Sequence, residues 1–418
     1  MLLIKLFQLT VVGALSTSEL SALQSLYEST QGDHWYWDSP VGHWSFTGDP
    51  DPCAEPHWMG VTCLCYGSDC TVTALDLAAT NLDGTIPSSF GSLSSLQFVY
   101  LNVNKLSGSI PSTFGSFQGM MWLLLQNNLL SGTIPSSIGS LKELYYLDLQ
   151  INQLSGSIPS TLASLRSLED MHLYSNQLTG TIPPELGSLH TLWNLDLHAN
   201  QLSGSIPRSI DALVSLQNLY LQENLFTGNL DNMTLSLSVS TVNIGYNSLS
   251  GTFPLSLSRA NYFYVNNNAF TGSLPTGIGE IVGLNTLDVG YNFFVGTLPS
   301  EMSKLINIQV LVVAGNGFIG DLGSLLSADN FRLQLLTADL SDNGFTGSLP
   351  DQLFTSTKLS TFVGARNCFN GVLSSELCNA VSLQVLDLSG MTSGDDCTKW
   401  YHGFGLDFYT VLYMGGTI

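Results

Sequence analysis

The sequence predicts an α/β solenoid, a stack of similar coils that share a parallel β-sheet along one face. A glycine returns every 24 residues, and around it the chain reads S-G-S-I-P or S-G-T-I-P. An asparagine keeps the same spacing ahead of the glycine, and paired leucines precede the asparagine. The glycines of the regular series are Gly84, Gly108, Gly132, Gly156, Gly180, Gly204 and Gly228. Further along, the spacing becomes irregular but the glycine recurs at Gly251, Gly272, Gly296, Gly320, Gly347 and Gly371, giving about 13 repeats.

The leucine pairs predict one short strand in each coil. In the stretch LKELYYLDLQINQLSGSIP, Leu147 and Leu149 have the period-2 spacing of a strand with one buried face. Strands of neighbouring coils are expected to pair in parallel, about 4.7–4.9 Å apart. Each coil then covers the apolar side chains of the next, so no coil is stable alone.

The asparagine that follows each strand is predicted to be structural. The chain turns at this point, and an amide can both donate to and accept from the backbone groups that the turn leaves inside. The glycine and proline further along predict a non-strand backbone on the far side of each coil. The asparagines are residues 104, 128, 152, 176, 200, 224, 247, 268, 292, 316, 343 and 367.

The whole pattern, L-x-x-L-x-x-L-x-L-x-x-N-x-L-x-G-x-I-P, resembles the plant-type leucine-rich repeats of polygalacturonase-inhibiting proteins and receptor-kinase ectodomains. The resemblance covers residues 71–390. It implies a leucine-rich-repeat solenoid with a concave parallel sheet and short helical or 3-10 turns on the convex face. It does not fix a function, because this fold has many partners.

The N-terminus predicts secretion. The opening MLLIKLFQLTVVGALS has a single charge, at Lys5, and an apolar stretch, so residues 1–16 are assigned as a signal peptide cleaved after Ser16. The alternative is a hydrophobic first turn of a helix. No later stretch reaches 18 uncharged apolar residues, so we expect no membrane span in this chain and a secreted or cell-surface location.

Residues 17–70 are predicted to cap the first coil. Leu20, Leu23, Leu26 and Tyr27 fall on one helical face. The segment PCAEPHWMGVTC resembles the cysteine-paired N-terminal cap of plant-type repeat proteins. The tryptophans of this region are expected to form the core of the cap rather than a ligand cage. They are Trp35, Trp37, Trp44 and Trp58.

Cysteines are confined to the two ends of the chain. Spacing leaves the pairing in the first cap open, but the resemblance favours Cys53–Cys63 and Cys65–Cys70. Zinc is the alternative, although C-x-C lacks the usual finger spacing and no second pair follows. Near the other end, Cys378 and Cys397 are assigned to disulfides. Cys368 makes an odd count of three there, which predicts a partner cysteine beyond Ile418.

Residues 391–418 are expected to be a partial repeat. They contain Cys397 and end in L-Y-M-G-G-T-I, the beginning of another turn, so we expect the chain to be truncated at its C-terminus. An N-glycosylation motif occurs once, at Asn232-Met233-Thr234.

The charge excludes some partners. Asp and Glu number 32 against 11 Lys and Arg, for a formal net charge of −21. Such a chain repels nucleic-acid phosphates and anionic membranes. No cofactor and no metal site is predicted, and motifs for phosphate binding or for hydrolytic catalysis are absent from the sequence.

Side chains between the strand leucines are predicted to face outward on the concave side, where successive coils align them in columns. Exposed aromatics next to carboxylates and amides suit recognition of a protein, a peptide or a glycan. The candidate ligand-binding residues are Trp122, Tyr146, Asp148, His172, Tyr174, Trp193, Asp196, His198 and Tyr220.

The sequence therefore favours a non-catalytic extracellular recognition module, such as the ectodomain of a receptor-like protein. One alternative is a protein that binds ice or a polysaccharide surface through the Ser and Thr residues that flank each glycine. Another is a glycoside hydrolase, because Asp148 and Asp196 are expected about 9.5 Å apart with His172 aligned between them.

Overall fold

The computed structural model describes residues 14–37, 41–48, 50–230, 233–235, 238–255, 260–370, 375–390 and 412–413. The chain divides into two compact units. We call Met1–Leu202 with Ala212–Ser215 the first unit, and Ser203–Asp211 with Leu216–Ile418 the second unit.

The predicted cap helix of the first unit is Thr17–Ser29. The Ser16 hydroxyl accepts a hydrogen bond from the backbone N–H of Glu19 and so caps the helix. Leu23 and Leu26 are buried as expected, whereas Leu20 is only half-buried. Glu19 is buried beside it, because its carboxylate accepts from the Thr71 hydroxyl at 2.6 Å and from the backbone N–H of Val72 at 3.2 Å.

Aromatic side chains fill the cap. Trp35, Trp44 and Trp58 are at most 7% exposed, and the rings of Trp44 and Trp58 lie 5.3 Å apart. Trp37 is half-buried and stacks on His43. The disulfides Cys53–Cys63 and Cys65–Cys70 are both present, as the sequence predicted.

A front sheet, defined by the strands of the leucine pairs, runs through the first unit. Apart from the antiparallel pairing of Val61–Tyr66 with Asp69–Asp76, its strands are parallel. The strands are Ala14–Leu15, Val61–Tyr66, Asp69–Asp76, Phe98–Tyr100, Trp122–Leu124, Tyr146–Asp148, Asp170–His172 and Asn194–Asp196. Their inward residues, such as Leu123, Leu147 and Leu195, are fully buried.

The front-sheet strands of the second unit are also parallel, except for the antiparallel pairing of the last strand. Its inward residues include Val242, Leu287 and Leu311, all fully buried. The strands are Asn218–Tyr220, Thr241–Asn243, Tyr262–Tyr264, Thr286–Asp288, Val310–Val312, Thr337–Asp339, Thr361–Val363, Val385–Asp387 and Leu412–Tyr413.

The glycine segments contradict one prediction. They form a second parallel sheet, here called the side sheet, where the sequence predicted non-strand backbone. Backbone groups left unpaired in a packed stack are costly, so the extended residues around each glycine pair with the neighbouring coil. Gly108 and Gly132 have φ of 73° and 75°, which glycine adopts without strain.

The side-sheet strands of the first unit are Asp83–Thr85, Lys105–Ser109, Leu129–Thr133, Gln153–Gly156, Gln177–Gly180 and Gln201–Gly204. Those of the second unit are Leu225–Asn229, Ser248–Gly251, Ala269–Gly272, Phe293–Gly296, Gly317–Asp321 and Gly344–Thr346.

Short 3-10 turns are present, as predicted, and those other than Gly32–His34 and Ser375–Asn379 directly follow a proline. They are Gly32–His34, Ser88–Ser92, Ser112–Ser116, Ser136–Ser140, Ser160–Ser164, Pro184–Ser188, Arg208–Ala212, Thr276–Glu280, Ser300–Lys304, Asp351–Thr355 and Ser375–Asn379. Two short α-helices, Gly323–Ser327 and Asp329–Arg332, take this place in one irregular coil of the second unit.

The asparagine column satisfies backbone groups inside the coils, as predicted. Asn128 Nδ2 lies 2.9 Å from the carbonyl oxygen of Leu101 and 3.1 Å from that of Leu125. Asn128 Oδ1 accepts from the backbone N–H of Leu106 at 2.9 Å. Each amide therefore ties its own turn to the coil before it.

The cysteines near the other end differ from expectation. Cys368, which the sequence analysis did not assign, is disulfide-bonded. Three cysteines allow several pairings, so sequence alone could not select it. The side chain of Cys378 lies outside the described residues, as do Cys397 and Asn232.

Candidate functional site

Two outward columns cover the front sheet of the first unit, because residues on either side of each inward leucine face away from the core. The parallel register aligns them coil by coil, as the sequence predicted. One column is Phe98, Trp122, Tyr146, Asp170 and Asn194; the other is Tyr100, Leu124, Asp148, His172 and Asp196.

Side-chain rings make a continuous chain across this face, which we call the ring ladder. Trp122 and Tyr146 have ring centroids 5.8 Å apart, and Tyr146 lies 5.4 Å from His172. Tyr174 stacks on His198 with centroids 4.3 Å apart. The members are Phe98, Tyr100, Trp122, Tyr146, His172, Tyr174 and His198.

His172 is paired with a carboxylate that the sequence analysis did not consider. Its Nε2 lies 3.4 Å from Asp170 Oδ1 and 3.3 Å from Asn194 Nδ2. Asp170 is 4% exposed. The expected line of Asp148, His172 and Asp196 exists in the register, but Asp196 bonds His198, with Oδ1 2.6 Å from Nδ1.

Asp170 could have been found from the sequence. It occupies the column of Trp122 and Tyr146 at the same 24-residue spacing. The acidic candidates named from sequence, Asp148 and Asp196, both lie in the other column. Which carboxylate a histidine contacts depends on side-chain rotamers, and the repeat spacing does not specify those.

Burial and neighbouring charges shift two pKa values on this face. Burial raises the pKa of Asp148 to about 6, although a backbone hydrogen bond from Gln150 and the charge of His172 oppose the rise. Burial disfavours protonation of His172, but its hydrogen bond to Asp170 and the charges of Asp148, Asp170 and Asp196 outweigh this and raise the pKa of His172.

The aspartates that end strands also have a structural role. Asp148 accepts the backbone N–H of Gln150, and Asp196 accepts that of His198, both at 3.2 Å. Asp288 does the same for Gly290 in the second unit. These Asx turns end the strands and give Asp148 and Asp196 a structural role.

Several buried polar atoms on this face have no hydrogen-bond partner among the described residues. They are Gln126 Oε1, Gln150 Oε1, Asn194 Oδ1 and His172 Nδ1. Buried polar atoms are usually paired, so these atoms are exceptions within the packing beneath the rings.

Two predicted site residues lie elsewhere. Trp193 precedes its strand, and its backbone N–H donates to the Glu169 carbonyl at 2.9 Å, which places it in a column with Tyr145 and Glu169 beside the ring ladder. Tyr220 belongs to the second unit, where its strand pairs with Thr241–Asn243.

A column of exposed hydroxyls lies on the side sheet of the first unit. A Cβ on Gly156 would meet Thr133 Cγ2 at 2.9 Å, so the threonine methyl packs on the glycine of the next coil. The hydroxyls ahead of the glycines bond the preceding coil instead, as Ser107 Oγ donates to the Gly84 carbonyl at 3.1 Å and Ser155 Oγ to the Gly132 carbonyl at 3.3 Å. The exposed residues are Thr85, Ser109, Thr133, Ser157 and Thr181.

The described ranges contain no cluster of three or more His, Cys, Asp or Glu that could bind a metal ion. They also contain no helix with the length and apolarity that crossing a bilayer requires.

Sequence comparison identifies the repeat. The family model described as Leucine Rich Repeat matches residues 95–117, 120–141, 143–165 and 167–189. A nodulation receptor kinase from Pisum sativum is 43% identical over 54 residues, which are 13% of this chain and 6% of that protein.

Solved structures share the architecture. The structure of PEPR1-AtPEP1 aligns with a TM-score of 0.78 and 28% identity over 90% of this chain and 56% of that one. The plant peptide hormone receptor RGFR1 in complex with RGF2 aligns with a TM-score of 0.60 and 28% identity, over 76% of this chain and 58% of that one. A plant ice-binding protein aligns with a TM-score of 0.54 and 26% identity, over 73% of this chain and 89% of that one. This chain thus spans little more than half of the PEPR1 and RGFR1 chains.

Proposed function

Because this chain is built from leucine-rich repeats, we propose that it is a non-catalytic, extracellular recognition module that binds an extended basic peptide along the ring ladder of the first unit. The ladder is the observation that carries the proposal. Flat aromatic surface supplies contact area at low entropic cost, and neighbouring carboxylates supply direction.

The dimensions favour an extended peptide. Four coil spacings separate Phe98 from His198, or about 19 Å, which an extended strand of about six residues covers. RGFR1, a protein of the same architecture, is a plant peptide hormone receptor in complex with RGF2, and this likeness supports a peptide over other ligands.

The charged groups of the front sheet favour a basic peptide. Asp148, Asp170 and Asp196 lie on this sheet and are only 2–7% exposed, so their carboxylates act on a ligand mainly through the negative potential of the face. Lys and Arg side chains carry the opposite charge, so they match this surface. A polyanion would be repelled by the net charge of −21.

The wider biological setting belongs to the same proposal. The predicted signal peptide and the cap disulfides suit an extracellular location. Since this chain spans about half of the receptor chains it resembles, we propose that it is the ectodomain, or part of the ectodomain, of a receptor-like protein.

An array of nonapeptides that alternate aromatic and Lys or Arg residues tests the peptide site, with binders quantified by calorimetry. We expect Tyr146→Ala and Tyr174→Ala each to weaken binding more than about tenfold, because each removes a ring from the middle of the ladder. Tyr262→Ala, in the second unit, is the matched control and should leave affinity unchanged. Peptide binding that is indifferent to both ladder substitutions contradicts the proposed site.

A second candidate, an ice- or polysaccharide-surface-binding protein, is favoured by the hydroxyl column of the side sheet. Its hydroxyls repeat at about the 4.7–4.9 Å coil spacing, and the likeness to a plant ice-binding protein covers 89% of that chain. Slowed ice recrystallisation at micromolar protein that Thr133→Leu and Thr181→Leu abolish would support it. Recrystallisation that proceeds unchanged with wild-type protein would rule out ice as the ligand.

The hydrolase alternative receives no support from the geometry. Asp148 is 2% exposed, and both Asp148 and Asp196 hold strand-ending turns. A double substitution, Asp148→Asn with Asp196→Asn, should therefore leave any glycan-hydrolysing activity of a preparation unchanged.

A further inference from the structure

We propose that an amide-lined recess in the second unit is a binding site for a neutral oligosaccharide. The recess has a volume of about 410 Å³, within the usual size range of small-ligand sites. Its lining residues are Ser240, Asn261, Tyr262, Gly283, Asn285, Asn307, Gln309 and Gln334.

Regular backbone hydrogen bonds between successive coils position one wall of this recess. Residues that immediately precede the front-sheet strands form a column in which each carbonyl accepts two backbone N–H groups of the next coil. The Asn261 carbonyl accepts from Asn285 at 2.7 Å and from Thr286 at 3.0 Å, and the Asn285 carbonyl accepts from Gln309 at 2.7 Å. These bonds hold the amide side chains of successive coils at a fixed spacing.

A glycine keeps the recess open. Asn261 Nδ2 donates to the Gly283 carbonyl at 2.7 Å, and a Cβ on Gly283 would approach the same Nδ2 to 3.2 Å. The backbone of Gly283 has ordinary φ, so the restriction is one of space. Any side chain at this position would press on the Asn261 amide and reduce the cavity.

The amides retain capacity for a ligand. Asn261 Oδ1 accepts from Ser240 Oγ at 3.3 Å, and Asn307 Nδ2 donates to the Val282 carbonyl at 2.8 Å. Each amide has two N–H donors and two acceptor lone pairs, so Asn261 and Asn307 each keep an N–H. Lys358 Nζ donates to Gln334 Oε1 at 2.8 Å and thereby fixes the orientation of that amide at the edge of the recess.

This chemistry selects sugar hydroxyls. A hydroxyl both donates and accepts, as an amide does, so it can bond either end of each side chain. Tyr262 is 40% exposed and supplies an aromatic surface, whose electron-rich face attracts the weakly positive C–H groups of a pyranose ring. None of the eight lining residues is charged, and the Lys358 ammonium at the edge is bonded to Gln334. Because the chain also carries a net charge of −21, the recess favours a neutral sugar over an anionic ligand.

The recess is separate from the ring ladder in composition and location. All of its lining residues belong to the second unit, whereas the ladder belongs to the first. A defect in one site is therefore expected to leave the other site active, and the two proposals can fail independently.

Calorimetric titration of the full chain with cellohexaose, laminarihexaose and mannohexaose tests the inference, with trigalacturonate as a charged comparator. We expect saturable binding of at least one neutral hexasaccharide with a Kd below about 1 mM. Tyr262→Ala should weaken this binding more than about tenfold and Asn285→Ala about fivefold.

Matched controls separate the site from general effects. Tyr291, an exposed tyrosine of the same unit outside the recess, should tolerate Tyr291→Ala without loss of sugar binding. Tyr146→Ala, in the ring ladder, should also leave sugar binding unchanged, and circular dichroism should show that each variant is folded. The inference is overturned if no neutral hexasaccharide binds by about 10 mM, or if folded Tyr262→Ala binds as well as the wild type.

Discussion

The two units share one repeat frame but differ in what they display on it. In both, the inward strand residues are fully buried, as Leu147 and Leu287 show. The outward column beside them holds Trp122 and Tyr146 in the first unit but mainly Thr and Val in the second. The frame is fixed by burial, so selection for binding can act on the outward positions of each unit separately.

The largest effect we expect comes from the frame itself and should be equal in the two units. Asn128 and Asn292 are each 6% exposed, and each bonds backbone groups of two coils. Asn128→Ala and Asn292→Ala should each lower the free energy of unfolding by about 3 kcal/mol, because several buried backbone groups lose their partners. Urea denaturation followed by circular dichroism measures both.

Exposed polar positions of the side sheet are the controls for this prediction. Gln153→Ala in the first unit and Ser248→Ala in the second should change stability by less than about 0.5 kcal/mol. A loss at Asn128 that is several times the loss at Asn292 would show that the frame differs between the units, and the comparison would then fail.

The next effect concerns pH, and here the units should differ. Burial raises the pKa of Asp288 to about 6 in the second unit. Its unfolded pKa is about 3.9, so the folded state holds the proton more tightly. Stability should therefore fall as pH rises from about 4 to about 6, and Asp288→Asn should remove about 1–3 kcal/mol of that fall.

In the first unit the same fall should extend to higher pH. Because burial raises the pKa of Asp148 to about 6, the first unit should lose stability as pH rises from about 4 to about 6. The pKa of His172 is raised too, so its stabilising contribution is complete below about pH 6.5 and is lost as pH rises through the folded value. Denaturation midpoints from pH 4 to 8 should show His172→Gln flattening only the upper part, and a flattening by Asp288→Asn above pH 7 would contradict the assignment.

The frame could be predicted from sequence because it depends on spacing alone. The 24-residue period is enough to put Tyr146, Asp170 and Asn194 in one register, and the strand pairing agrees with it. The asparagine column followed from the same period and from the two-sided hydrogen bonding of an amide. The side sheet did not follow, since Ser-Gly-Ser has little strand propensity and pairs only because the stack aligns it.

The contacts of the candidate site were harder to predict from sequence, because they depend on side-chain rotamers. Asp170 and Asp148 are both near His172 by register, yet only Asp170 makes the hydrogen bond. The amide recess was missed for another reason. Its residues precede the strands and have no apolar or acidic pattern, so only the stacking of Asn261, Asn285 and Gln309 reveals them.

The smallest expected effect sharpens the boundary of the ring ladder. Trp193 was a leading candidate from sequence, but the structure places it in the column of Tyr145 and Glu169 beside the ladder. Trp193→Ala should therefore change the affinity for an array-selected peptide less than about twofold, while Tyr174→Ala lowers it more than about tenfold. If the two substitutions weaken binding equally, the peptide must lie across the strand ends as well as along the ladder, because one ligand would then contact both columns.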